Sequence, residues 1–468
     1  MTKKFFLALL MSCFALFASA SNYLTFTAEE DSSSFCIKNR GDNNPNVEYS
    51  LDDGKTWIVL KNDIVVSFEK KGDKALLRGY NPDGFSGGDH YTEFHMQGKI
   101  AASGSVMSLI DGIGESKTIP SEYCFNSLFY DCKSLTRAPE LPAINLADRC
   151  YEEMFWGCSN LTQASKLPAT TLSRLCYAHM FWGCHSLIQA PELPATNLAD
   201  GCYEEMFWGC VSLAQAPELP ATTLAESCYW GMFCSCTSLT QAPELPATTL
   251  TVDCYMYMFS GCTNLTQAPE LPATTLTELC YFGMFSDCKR LTQAPELPAM
   301  NLAEGCYGDM FLNCQSLTQA PELPAIDLAE GCYDGMFQNC KNLQKIKVGF
   351  DSWYNGEGTD SWVENVAPTG IFHCSEKLSL EYGVSYIPEG WNVVYDGTDV
   401  AEHVSDASFK AWAADGKITY TGATMPVEIF DINGRLVKKM NEKSQSVDVP
   451  QHGIYVVKSG NVSLKVEL

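Results

Sequence analysis

The chain predicts an α/β solenoid, with one short parallel strand and one short helix per coil, flanked by small all-β domains. The first observation behind this expectation is a fixed period. Cys recurs at 124, 150, 176, 202, 228, 254, 280, 306 and 332, always 26 residues apart. A period of about 20–50 residues marks units that cannot bury an apolar face alone, so that neighbours stack and share one long core. The second is the spacing inside each unit. A second Cys follows eight residues later, at 132 through 340, with Met-Phe between (Met154-Phe155 to Met336-Phe337; Leu128-Phe129 in the first copy). The third is the composition of the flanks, where short apolar runs alternate with polar residues and turn signals.

The helix of each coil is expected between its two Cys. At 100° per residue, Cys150, Tyr151, Met154, Phe155 and Cys158 span about 140° of one face, and Glu152, Glu153 and Trp156 fall on the other. The extended part follows. Leu161, Ala164, Leu167 and Leu172 point inward, and two prolines per coil, such as Pro191 and Pro194, limit the strand because Pro cannot donate to a ladder. The strand is therefore short and centred on Leu-Thr-Gln-Ala, and Pro-Glu-Leu-Pro runs extended or polyproline-like. Parallel strands of adjacent coils are expected about 4.8 Å apart.

In chain order, Lys3-Lys4, the apolar run Phe5 to Phe17 and Ala18-Ser19-Ala20 form an expected secretory signal peptide over 1–20, with lipidation of Cys13 as the rival reading. No later segment has about 18 consecutive apolar residues, so no transmembrane segment is expected. Residues 21–105 alternate with period two and predict a small β-sandwich. Within it, Ser50-Leu51-Asp52-Asp53-Gly54-Lys55-Thr56-Trp57 resembles an Asp-box, which is read as turn chemistry. Gly84-Phe85-Ser86-Gly87-Gly88 matches G-x-S-x-G, but Asn81-Pro82-Asp83 before it and Asp89 after it make it a loop, whereas a nucleophile elbow needs a strand and a helix. The solenoid spans 106–345. After Leu343 the pattern breaks, and Trp353, Trp362, Phe372 and Trp391 predict a closing cap over 346–397. Residues 398–408 read as a polar linker and 409–468 as a C-terminal β-sandwich, with Asn433-Gly434 as a hairpin signal.

M-F-x-x-C-x-x-L, recurring in register through nine copies with Leu in place of Met in the first, resembles the BspA-like leucine-rich-repeat surface proteins. That resemblance covers residues 106 to about 397 and implies a leucine-rich-repeat solenoid, cell-surface display and adhesion, without catalysis. Ala-Pro-Glu-Leu-Pro stands where that family has Leu/Ile-x-Leu/Ile. The tail, from Val427-Glu428-Ile429-Phe430-Asp431-Ile432-Asn433-Gly434-Arg435-Leu436-Val437 to Gly453-Ile454-Tyr455-Val456-Val457, resembles the C-terminal sorting domain of type IX secretion cargo. It implies export to the outer-membrane-associated surface of a Gram-negative bacterium. The final Val-Glu-Leu is more acidic than that family's usual basic end.

Charge and chemistry narrow the function. A net charge of −25 over 468 residues disfavours nucleic acid and anionic membranes as partners. Of 22 Cys, 18 are the two repeat columns; Cys13, Cys36, Cys234 and Cys374 are the others. On a helix, i and i+8 lie about 12 Å apart. A disulfide needs Cα atoms within about 7 Å, and packed helices sit at about 8–10 Å. C-x7-C suits no zinc site, so buried free thiols are expected, with the outward Cys234 reacting first. The repeated Glu, exemplified by Glu192, Glu218 and Glu244, could form an acidic ladder beside Gln189, Gln215 and Gln241, or simply a solvated edge. Trp156, Trp182 and Trp208 continue an outward column from Tyr130, and could contact a protein or a sugar or pack between coils. These nine Trp, Gln and Glu residues are the candidate ligand-binding set. No Ser/His/Asp set or paired carboxylates stand out, His179 and His185 look like isolated variations, and neither cofactor nor metal is expected. The expected function is non-catalytic adhesion to a host or bacterial surface protein; the alternatives are a surface glycan-binding protein and, from the two dismissed motifs alone, a hydrolase.

Overall fold

The computed structural model describes residues 22–354 and 357–395. From 410 onward it describes all but 415–416, 424–425, 432–434, 442–444, 450–453, 460–461 and 468. The expected signal peptide 1–20, with Cys13, and the expected linker 398–408 lie outside the described residues. The chain divides into two compact units, residues 1–395 and 396–468.

Each repeat forms one coil, and the coils stack in register. The segment expected to be helical is instead a train of tight turns. The N–H groups of Phe125, Ser127, Phe129 and Asp131 donate to the carbonyls of Cys150, Glu152, Met154 and Trp156 on the next coil, at 2.6–3.0 Å. The residues between them, Asn126, Leu128, Tyr130 and Cys132, donate to the carbonyl three residues back. The pattern recurs through Tyr333 to Gly358 and Phe337 to Trp362. Every fourth residue is left-handed: Arg149, Glu153 and Gly157 have φ of 54°, 55° and 70°, and Leu175, His179 and Gly183 follow suit. An α-helix needs unbroken right-handed residues and bonds to the fourth carbonyl back, so no helix forms here. The α/β fold class expected from the sequence is therefore incorrect. The only helix among the described residues is Ser108–Asp111, before the first coil.

The inward-facing set still holds, because a four-residue turn repeat places positions 0, 4 and 8 on one side, as a helix nearly does. Cys150, Met154, Phe155 and Cys158 and their counterparts in every later coil are wholly buried. Successive Phe rings from Phe129 to Phe337 stack 5.4–5.8 Å apart, within 8° of parallel. Successive Tyr rings from Tyr151 to Tyr333 stack at 5.7–6.1 Å. Coils thus rise by the β-ladder spacing, about 4.8 Å, on the turn side as well.

On the other side the prolines reduce the ladder to single bridges, such as Gln241 to Gln267 to Gln293, with a second rail from Thr223 through Thr249 and Thr275 to Asn301. Toward the C-terminal end of the stack, strands Gln319–Leu323, Lys345–Val348, Ile371–Cys374 and Asn392–Tyr395 form a parallel sheet, although the first of them still carries Pro321. Gln319 pairs with Lys345, Lys345 with Ile371 and Ile371 with Asn392, so the stack continues past Leu343. Trp362 sits under the last rings, 6.1 Å from Phe337 and 6.4 Å from Tyr333.

At the other end, strand Ile100–Ser103 pairs antiparallel with Leu24–Ala28 and parallel with Leu135–Arg137 of the first coil. A six-stranded sheet and the three-stranded sheet of Val66–Ser67, Ser34–Asn39 and Thr92–Gln97 hold Phe26, Phe35 and Phe94 between them. Phe94 stacks on Phe129 at 5.5 Å, which joins this region to the core of the coils. The second unit has a three-stranded and a four-stranded antiparallel sheet around Ile418, Tyr420, Val427, Ile429 and Val457. Asn433-Gly434 lies outside the described residues; the strands flanking it, Val427–Asp431 and Leu436–Met440, pair antiparallel.

Candidate functional site

The aromatic column is the first candidate. Tyr130 and Trp156 stack with centroids 4.5 Å apart, and Trp156 and Trp182 at 4.7 Å, both pairs 4° from parallel. Both faces of Trp156 are therefore covered by neighbouring rings, and all three Trp are half-buried. A sugar cannot stack on Trp156; only ring edges face outward. Trp208 lies against Gly231, where an added Cβ would come within 3.3 Å of the indole.

The Gln and Glu residues lie on the proline side. Gln189, Gln215, Gln241, Glu192, Glu218 and Glu244 are all exposed. Glu244 shares a groove of about 390 Å³ with Glu270, walled by Pro243, Pro246, Pro269 and Pro272. Gln293, Glu296, Gln319 and Glu322 line a larger groove of about 860 Å³ between the next coils. The ladder is neutralised at its C-terminal end, where Lys347 pairs with Glu322 at 2.5 Å. At its N-terminal end a recess carries Lys117, Arg137 and Lys166 beside Glu140. Trp208 and Glu244 line different recesses.

Between Ser127 and Glu205 the stack brings together a charged cluster that the sequence reading passed over. His179 Nε2 lies 3.4 Å from Glu205 and 3.8 Å from Glu204. Arg149 pairs with Glu152 at 2.6 Å, and Ser127 donates to Glu153 at 3.0 Å. Burial alone would lower the pKa of His179, but Glu205, Glu204 and Glu153 outweigh it and hold it raised. Burial pushes up Glu152, against the pull of Arg149, and Glu204. The signal was the 26-residue offset itself: Glu153, His179 and Glu205 occupy one column.

All the described cysteines are free thiols. The distance argument made for helices does not apply, since adjacent coils rise by only about 4.8 Å. What occupies the second column is hydrogen bonding. Cys158 donates to the Phe129 carbonyl at 3.0 Å, Cys184 to Phe155 at 3.2 Å, and so on to Cys340 and Phe311 at 3.0 Å. Burial pushes these thiols up, Cys132 to about 12. Cys234, expected outward and reactive, is 5% exposed, and burial pushes it up to about 11.

The two short motifs are structural. Asp52 accepts from the Thr56 amide and hydroxyl and from Ser50, which holds its carboxyl down at about 2, and Trp57 Nε1 donates to the Gly54 carbonyl. Ser86 is buried in a loop and accepts from the Thr92 amide. Among the described residues no group of three or more His, Cys, Asp or Glu is placed to hold a metal ion, and no helix is long and apolar enough to cross a membrane.

No protein-family model matches the chain, and no curated protein is significantly similar to it.

Proposed function

We propose that the chain is an exported surface protein that binds a host or bacterial surface protein through the turn side of its coils, without catalysis. One observation carries this reading. Buried columns repeat almost without change, while the solvent-facing column that follows the second Cys runs Lys133, Ser159, His185, Val211, Thr237, Thr263, Lys289, Gln315 and Lys341. A surface that varies on a constant frame presents a different chemistry at every coil, which suits one specific partner better than a repetitive polymer. Aromatic residues at the column's edge supply the side-chain type that dominates interface energies. The acidic balance of the chain favours a partner with basic groups, whose encounter it would accelerate at low salt.

The resemblance of M-F-x-x-C-x-x-L to BspA-like surface proteins supports adhesion, on motif spacing and independently of coil geometry. The resemblance of the tail to type IX sorting domains supports display on the outer-membrane-associated cell surface. The test is binding of the purified full chain to intact host and bacterial cells, pretreated with protease or with periodate. Loss of binding after protease alone is expected. Binding that survives protease and is lost after periodate contradicts a protein partner.

A further inference from the structure

The aromatic column ends abruptly. After Tyr130, Trp156, Trp182 and Trp208, the same position holds Cys234 and then Ser260. The drop in size opens a recess of about 520 Å³ on the turn side. Trp208 forms one wall, settled against Gly231. Tyr257 forms another; it lies across Gly283, where an added Cβ would come within 2.3 Å of its ring. Both glycines thus let a large ring lean over the neighbouring coil. The rest of the lining is Cys234 and Gly261 with the hydroxyl-bearing Ser235, Ser260, Thr237 and Thr263, and Asp287 and Lys289 lie at the far end, 4.0 Å apart. Asn313 donates to Asp287 at 3.2 Å, which steadies the carboxylate.

We propose that this recess is a subsite for a neutral hexopyranose. Its volume falls within the range of about 300–1,000 Å³ usual for small-ligand sites. A purely apolar ligand would displace water from Thr263, Asp287 and Lys289 without replacing its hydrogen bonds, which costs free energy on desolvation. An anion would meet Asp287 and a chain of net charge −25. A cation would meet Lys289. A pyranose has one C–H face to lay on an indole and a rim of hydroxyls that both donate and accept, so it matches an aromatic wall facing Ser, Thr, Asp and Lys. The faces of Trp156 are covered by Tyr130 and Trp182, and of the candidate Trp residues it is Trp208 that lines the recess and can serve as the platform. The inference goes beyond the protein-interaction reading and does not depend on it.

The test is saturation-transfer NMR of the full chain with a panel of methyl hexopyranosides, of gluco, galacto, manno and N-acetylglucosamine configuration. At least one is expected to bind at or below about 20 mM, with affinity lowered tenfold or more by Trp208→Ala. Asp287→Asn is expected to weaken it severalfold, and Trp156→Ala to leave it unchanged. Because Trp208→Ala could disturb the stack, Ser260→Trp is the second variant: it refills the recess by extending the column, and is expected to abolish binding while the melting temperature holds. Absence of binding by every pyranoside, or binding that survives both Trp208→Ala and Ser260→Trp, overturns the proposal.

Discussion

The thiol of Cys158 donates to the carbonyl of Phe129, one coil back, at 3.0 Å. The same bond joins Cys236 to Phe207 and Cys262 to Phe233, so the second Cys column is a hydrogen-bond ladder inside the core. Its members need a small side chain with a donor. Cys236→Ser keeps the donor and is expected to cost no more than about 1 kcal/mol, the net worth of such a bond. Cys236→Val removes the donor and adds bulk, and is expected to cost about 1–3 kcal/mol. Denaturant midpoints of the two variants check the order.

Thiol reactivity follows from the same burial. In native protein lacking the leader, Cys36, which is half-buried, is expected to react with iodoacetamide before any other described cysteine. The column thiols, held well above the ordinary thiol range by burial, are expected to react only on unfolding. Mass spectrometry of partly labelled protein gives the order; early labelling of Cys184 or Cys210 would count against the buried ladder.

Side chains of the stack differ sharply in what they hold. Phe233→Ala is expected to cost about 3–5 kcal/mol by opening a cavity under two parallel rings. Trp156→Ala removes two ring contacts worth about 0.5–1.5 kcal/mol each and is expected to destabilise by about 1–3 kcal/mol. Glu218→Gln, on the exposed edge, is expected to stay within about 0.5 kcal/mol of the parent. Equal melting temperatures for Trp156→Ala and Glu218→Gln would show that the Trp column does not pack.

The pH response of the first coils has a definite sign. His179 has its pKa raised by Glu205, Glu204 and Glu153 against the opposing effect of burial. Its contribution is fully present below the unfolded value of about 6.5 and is lost as pH rises through the higher folded value. Glu152 and Glu204 are also raised, by burial, so ionising them weakens the fold as pH rises above the unfolded carboxyl value of about 4.3. Melting temperature is therefore expected to fall from pH 6 to pH 9, and the fall to be shallower in His179→Gln. Parallel curves for the two proteins would remove His179 from the account.

What the sequence revealed was the register, and what it concealed was the backbone. The 26-residue offset placed Met, Phe and both Cys of each coil in the core, where they are. The same columns read as a helix because inward positions at 0, 1, 4, 5 and 8 suit a 3.6-residue and a 4-residue repeat almost equally. Over eight residues the two differ by only about 80° of rotation. The distinguishing signal lay in the outward residues. Gly157, Gly183, Gly209, Gly261, Asp287, Asn313 and Asn339 share one column, and Gly231, Gly283 and Gly335 another four residues before it. Gly, Asn and Asp tolerate left-handed backbone and are poor helix formers. The charged cluster around His179 was legible too, by reading 26 residues up and down. Which ring faces the column leaves open was not, because it depends on side-chain rotation about the coil.

The most direct test of the turn-built stack is its rise on the turn side. Spin labels can be attached through ketone-bearing residues placed at His185 and Gln315, exposed positions in one column, 130 residues and five coils apart. In-register turn ladders predict a mean separation of about 24 Å by pulsed electron resonance, at about 4.8 Å per coil. Packed helices in each coil would place the labels about 40–50 Å apart, at about 8–10 Å per coil, and a distance in that range would contradict the account.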